Sequence, residues 1–204
     1  MQLRSREPSQ LMYSLKLGDG CFITQCKDVN NPKPTYNLTT SSINLDYIVH
    51  KKTELERQGI FTQPLRNSKS GYKEDSVIYT FGTRIHNHIS QVALMSNTDI
   101  LYKLDKQGLI YFFLDDGTFH QKKHFGHICC NTFTEEETET LIEVIYNLYP
   151  QKRCTKRTDK KKDGRQYLYV YIPVVVMNEF KKDIQRFLED NNITSLMYKV
   201  GVQK

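Results

Sequence analysis

The chain has 204 residues, of which 38% are hydrophobic and 25% charged; this excludes a disordered chain as a class and fits one large globular domain or two small ones sharing a core. Its 29 Lys and Arg against 23 Asp and Glu leave a net charge of +6, which suggests a polyanionic partner without identifying one. MQLRSREPSQ at the start has no apolar core for secretion, the longest apolar runs are far too short to span a bilayer, and the five cysteines form no CxxC pair, so we expect an intracellular protein with free thiols and no membrane partner.

The first element is an apolar, helix-length segment, LMYSLKLGDG at 11–20, ending in Asp19-Gly20. Residues 21–27 and 35–41, rich in β-branched and aromatic side chains, read as strands joined by the turn-prone stretch 30–34. Asn44 or Asp46 can cap a helix that runs to about Gln58, with Gly59 as its stop. A second hairpin follows, over 60–66 and 76–82 around a turn at 68–75, and then a helix over 86–95.

The same order then returns. GLIYFFLDDG at 108–117 is a second apolar segment ending in Asp-Gly, with Asp116 lying 97 positions after Asp19. Strands are expected at 118–121 and 126–133. The following helix has Thr134 and Glu137 as a capping box, Leu141, Ile142, Ile145 and Leu148 on one face, and Pro150 past its end. A hairpin over 151–157 and 166–172, around Asp163-Gly164, leads to a helix over 174–188. The pattern is αββαββα, twice, which implies an α+β class with antiparallel sheets. We divide the chain into 1–97, a connector at 98–107, and 108–204.

Asp163-Gly164 shows that a lone Asp-Gly is only a turn. The other two differ because each ends an apolar helix and opens a hairpin. The macrodipole disfavours an anion at a helix C-terminus by roughly 0.3–1 kcal/mol. Two such anions at matching positions call for a compensating partner, of which a divalent cation is the simplest. Ser14 and Gly18 share a helix face and permit close backbone approach, so the two helices can pack side by side with both aspartates at one end. The same letters also describe two ordinary helix C-termini with buried apolar stripes.

LMYSLKLGDG and GLIYFFLDDG resemble the two motifs of the single-chain LAGLIDADG homing endonucleases. Phe112-Phe113-Leu114-Asp115-Asp116-Gly117-Thr118 is similar to the second motif of the group I intron-encoded branch, and Tyr79-Thr80-Phe81-Gly82-Thr83-Arg84 to a strand end in its first half. The resemblance covers nearly the whole chain. It implies two pseudo-symmetric halves, each with a four-stranded antiparallel, saddle-shaped sheet, packed through the motif helices. It also implies a monomeric endonuclease cutting double-stranded DNA at a long target site. Mg²⁺ would be held by Asp19 and Asp116 and by the backbone carbonyls of Gly18 and Asp115, with Mn²⁺ or Ca²⁺ able to substitute for binding. Two letters depart from the motif, Tyr111 at a usually small position and Lys16 at a usually apolar one, which suggests a looser or asymmetric seam.

A β-ribbon fits the major groove, and strand rise nearly matches base-pair rise, ~3.3 against ~3.4 Å. The candidate DNA contacts are Gln25, Lys27, Thr35, Asn37, Thr39, Arg66, Lys73 and Arg84 in the first half. In the second they are His120, Lys122, Lys123, Lys152, Lys156, Arg157 and Arg165. Arg84 is also a candidate for polarising water beside the metal. Residues 151–165 alone carry a surplus of six positive charges, which describes either a phosphate-tracking hairpin or a solvated loop. Strand register decides which residues face DNA.

His120, His124, His127, Cys129 and Cys130 crowd one hairpin, but their spacing matches no standard four-ligand zinc pattern. Two other functions fit the same fold: an intron maturase bound to structured intron RNA, and a DNA-binding regulator. Neither needs Asp19 and Asp116, and their retention favours the nuclease.

Overall fold

Two αββαββα units follow one another in the chain, with a short extra helix between them. The structure, a computed structural model, describes residues 7–25, 34–69, 76–160 and 166–202. Lys27, Lys73, Arg165, Asp163 and Gly164 lie outside the described residues. The first unit comprises α1 (Gln10–Leu17), β1 (Gly20–Gln25), β2 (Thr35–Ser42), α2 (Leu45–Arg57), β3 (Arg66–Lys69), β4 (Val77–Gly82) and α3 (Asn87–Leu94). After α4 (Asn97–Lys103) come α5 (Lys106–Asp116), β5 (Gly117–His120), β6 (Phe125–Cys129), α6 (Glu135–Leu148), β7 (Thr155–Lys160), β8 (Gln166–Ile172) and α7 (Val174–Asp190). A 3-10 turn, Met197–Val200, follows.

Each unit builds one antiparallel four-stranded sheet, in the orders β1-β2-β4-β3 and β5-β6-β8-β7, so the α+β reading of the sequence is correct. Local signals set most boundaries. Thr134 and Glu137 form the capping box that starts α6, and Gly59, at φ +77°, ends α2 in the left-handed conformation glycine tolerates. Residues 60–65 are not a ladder strand, because Pro64 offers no N–H; the only pairing there is the bridge between Thr62 and Thr83. The stretch between the two units contains α4, capped by the Ser96 hydroxyl and packed on α1 and α6. Among the described residues no helix is long and apolar enough to cross a membrane.

The centre of the molecule is the parallel pair α1 and α5. At one end the Gln10 side chain donates to the Lys103 carbonyl (2.9 Å) and accepts from the Asp105 N–H (3.0 Å), and a Cβ on Gly108 would lie 2.3 Å from Gln10 Oε1. At the other, a Cβ on Gly18 would lie 2.5 Å from the Asp116 carboxylate. Gln10, Ser14 and Gly18 therefore form the close-contact face of α1, four residues apart. The two unusual letters face elsewhere. Lys16 reaches the Ala93 carbonyl on α3 (3.3 Å). The buried Tyr111 ring packs edge-on to Phe187 of α7, and its hydroxyl pairs with His50 of α2 at 2.8 Å.

Candidate active site and nucleic-acid interface

Both aspartates emerge at the same end of the α1/α5 pair. Asp116 is the last residue of α5, whereas α1 stops at Leu17 and Asp19 sits in the turn beyond it. The glycines after them are required by packing. A Cβ on Gly20 would lie 2.3 Å from the Leu15 carbonyl oxygen, and one on Gly117 2.3 Å from the Phe113 ring. The chain can fold back onto the end of each helix only where there is no side chain.

Asp115 is tied to α2 through one carboxylate oxygen. Its Oδ1 accepts from Lys51 Nζ (2.7 Å) and the Tyr47 hydroxyl (3.0 Å), and the Lys51 and Asp115 side chains are both fully buried. The Lys51 ammonium also stands 4.4 Å from the Tyr47 ring centroid. A second cation, Lys199 of the 3-10 turn, donates to the Gly117 carbonyl at 2.8 Å. Asp19, Asn44, Tyr47, Asp115 and Lys199 line a cavity of about 200 Å³.

The electrostatics of this cluster are strained. Burial, then the charges of Asp19 and Asp115, push the Asp116 carboxyl up to about 7. Asp19 is raised by burial and by Asp115, with partial relief from Lys51 and Lys199. Burial lowers Lys199, while the three carboxylates act to hold its proton. One buried oxygen each of Asp115 and Asp116 has no hydrogen-bond partner. Orphaned oxygens on mutually repelling carboxylates suit a divalent cation, and the last carbonyls of α1 and α5 lack intrahelical partners. Among the described residues no three His, Cys, Asp or Glu side chains converge as a ready-made metal site, so further ligands would come from backbone, water or phosphate.

Arg84 is not beside the aspartates. It lies over the Phe61 ring (4.3 Å) and lines a separate cavity of about 450 Å³ with Gln25 and Asn37. The cations at the carboxylates are Lys51 and Lys199, which the sequence reading missed. Lys51 had a signal: with Tyr47, Ile48 and Leu55 it lies on the buried stripe of α2.

Register settles which strand residues share a face. In the first sheet Gln25 pairs with Thr35, Cys21 with Thr39, Thr39 with Gly82, and Arg66 with Thr80. Leu38, Thr40 and Phe81 point to the core, so Gln25, Thr35, Asn37, Thr39 and Arg66 occupy the opposite face. In the second sheet the buried Ile128 and Val170 define the core side. The other face carries His120, Phe125, His127, Tyr169, Tyr171 and Arg157 as a ladder of rings, with the Arg157 guanidinium 3.7 Å from the Tyr171 centroid. Lys156 is a correction: it pairs opposite Val170, on the helix side, and is bound to Glu135 and Glu139 of α6. Lys122 and Lys123 are exposed in the β5–β6 turn, and Lys152 just after α6.

The His and Cys residues of this hairpin do not converge. His120 and His127 meet at 3.0 Å, but the buried Cys130 thiol turns to the Ile128 carbonyl, and burial pushes it up to about 12. His124 sits in the turn at φ +56°.

The fold is similar to that of the homing endonuclease I-WcaI bound to its DNA recognition sequence, with a TM-score of 0.68 and 17% identity over 98% of this chain and 90% of that one. It is also similar to I-DmoI in complex with DNA and Mn (0.53, 14%, 96% and 98%). A third likeness is to full-length DUF199/WhiA from Thermatoga maritima (0.52, 12%, 100% and 64%). No curated protein matches the chain. The sequence profile of the LAGLIDADG DNA endonuclease family matches residues 10–180, both Asp-Gly segments included, and the chain belongs to that family.

Proposed function

We propose that the protein is a site-specific endonuclease that hydrolyses phosphodiesters of double-stranded DNA with divalent metal held by Asp19 and Asp116. One observation carries this reading: two carboxylates of raised proton affinity end a parallel helix pair that joins two sheets, in a chain of a DNA endonuclease family. A relative in fold was solved on its DNA recognition sequence, and another with DNA and Mn, which supports both the substrate and the use of a divalent ion.

In this reading Asp19 and Asp116 would hold a divalent ion, Mg²⁺ or, for binding, Mn²⁺ or Ca²⁺, which when bound would supply the positive charge that favours attack by water and departure of the leaving oxygen. The Gly18 and Asp115 carbonyls would add to the protein ligands of that ion. Lys51 and Tyr47 fix the Asp115 side chain through its Oδ1. Lys199 offsets the negative charge gathered at the seam. The faces carrying Gln25, Thr35, Asn37, Thr39 and Arg66, and His120 and Arg157, bind the two half-sites, with Arg84, Lys122, Lys123 and Lys152 at their margins on phosphates. Residues 1–97 and 108–204 act as the halves and 98–107 as their connector, so one chain suffices and the protein works as a monomer.

The test is cleavage of a plasmid library carrying a randomised duplex segment, with Mg²⁺ and with EDTA, followed by sequencing of the ends. Discrete cation-dependent double-strand cuts at a narrow set of sequences are expected. No cutting with Mg²⁺, Mn²⁺ or Ca²⁺ would sink the nuclease assignment.

A further inference from the structure

The segment after α7 crosses from the second unit to the first and back to the site. Asn192, at φ +55°, turns the chain at the end of α7, and the Ile193 N–H donates to the Leu188 carbonyl at 2.8 Å. Ile193, Leu196 and Val200 are buried and anchor the segment on the core. Between these anchors it is tied to α2 through one carboxylate. Asp46 Oδ2 accepts from the Ser195 N–H (2.8 Å) and the Thr194 hydroxyl (3.5 Å), and Asp46 Oδ1 accepts from the Ser195 hydroxyl. Four residues later Lys199 meets the Gly117 carbonyl, one residue past Asp116.

We propose that Asp46 is a positioning residue of the active site, holding the segment that delivers Lys199 to the carboxylates of the seam. The inference rests on the nuclease reading for its catalytic consequence but on geometry alone for the placement. A 3-10 turn of four residues has poor internal hydrogen bonds and does not fix its own position. A lysine side chain adds rotamer entropy of its own. Charge-assisted bonds to Asp46 add a polar constraint between the buried anchors. The first unit has no counterpart: past α3 its chain enters α4 through the Ser96 cap. The device therefore serves one side of the site.

Two measurements on the full chain test this. The first is acylation of lysines by acetic anhydride, read peptide by peptide by mass spectrometry. Asp46→Ala should raise the reactivity of Lys199 several-fold, with the exposed Lys106 as internal control; an unchanged Lys199 would overturn the proposal, whether or not the protein cuts DNA. The second is a double-mutant cycle on the cut duplex recovered from the library above. Asp46→Ala should slow cutting about tenfold with little change in duplex affinity, and should slow it no further in a Lys199→Met background. Equal losses in both backgrounds would show that Asp46 does not act through Lys199. Ser195→Ala, which removes the hydroxyl bond and leaves no buried charge, should give the same pattern with a smaller effect, and it serves if Asp46→Ala fails to fold. A wild-type protein that cuts nothing would remove the nuclease reading and leave the acylation result to decide the placement.

Discussion

Lys51 Nζ donates to Asp115 Oδ1 at 2.7 Å across the join between the two units, with both side chains sealed from water. Removing one partner of a buried pair leaves the other charge uncompensated, at a cost of about 3–5 kcal/mol. Lys51→Met should lose about that much stability in urea unfolding, and adding Asp115→Ala should recover most of it. A double variant no more stable than the single would show that the pair is not the source of the loss.

Asp116 makes stability pH-dependent. Its folded pKa, about 7, lies above its unfolded value, so its contribution favours folding at low pH and is lost as pH rises through about 7. Because the side chain is partly exposed, the loss between pH 5.5 and 8 should be on the order of 1–2 kcal/mol, well below the full-burial figure. Urea unfolding in EDTA at the two pH values measures it, and Asp116→Asn should remove the difference. The sign reverses for metal. Mn²⁺ affinity should fall by roughly tenfold per pH unit below 7, because the proton and the ion compete.

Asp19→Asn and Asp116→Asn should each slow cutting by at least ~10³-fold, about 4 kcal/mol of barrier. Duplex affinity in EDTA should stay the same or rise, since each change removes an anion from the DNA-facing end of the seam. Gel-shift titration beside single-turnover cleavage separates the two effects. A variant that cut at the wild-type rate would remove that aspartate from the site.

Arg157 and Lys156 are adjacent and point to opposite faces of β7. Arg157→Ala should weaken duplex binding and lower the slope of log K against log salt by ~0.9, the value for one phosphate contact. Lys156→Ala should leave both unchanged. The reverse result would place the DNA on the helix side of the sheet.

The order of elements was legible because it is carried by local signals: the Thr134–Glu137 box, the Gly59 stop, and an Asp-Gly after each apolar segment. The helix α4 was missed although Ser96 and Asp99 are spaced as a cap and its partner, because seven residues are too few to show a period. Lys51 and Lys199 were missed for a different reason. A lysine is ordinarily a solvated residue, and the partners that hold these two, the Asp115 carboxylate for Lys51 and the Gly117 carbonyl for Lys199, lie 64 and 82 positions away, out of reach of any local pattern. The face taken by Lys156 and Arg157 likewise depends on pairing with β8, which alternation alone does not settle.

Gly18 and Asp115 precede the two aspartates at matching positions, yet one has no side chain and the other a sealed carboxylate. The tight fit of Gly18 against Asp116 leaves no room to make the two sides alike. A duplex laid across this seam therefore meets a left side and a right side of different chemistry. That asymmetry should order scission, with a nicked circle preceding the linear product.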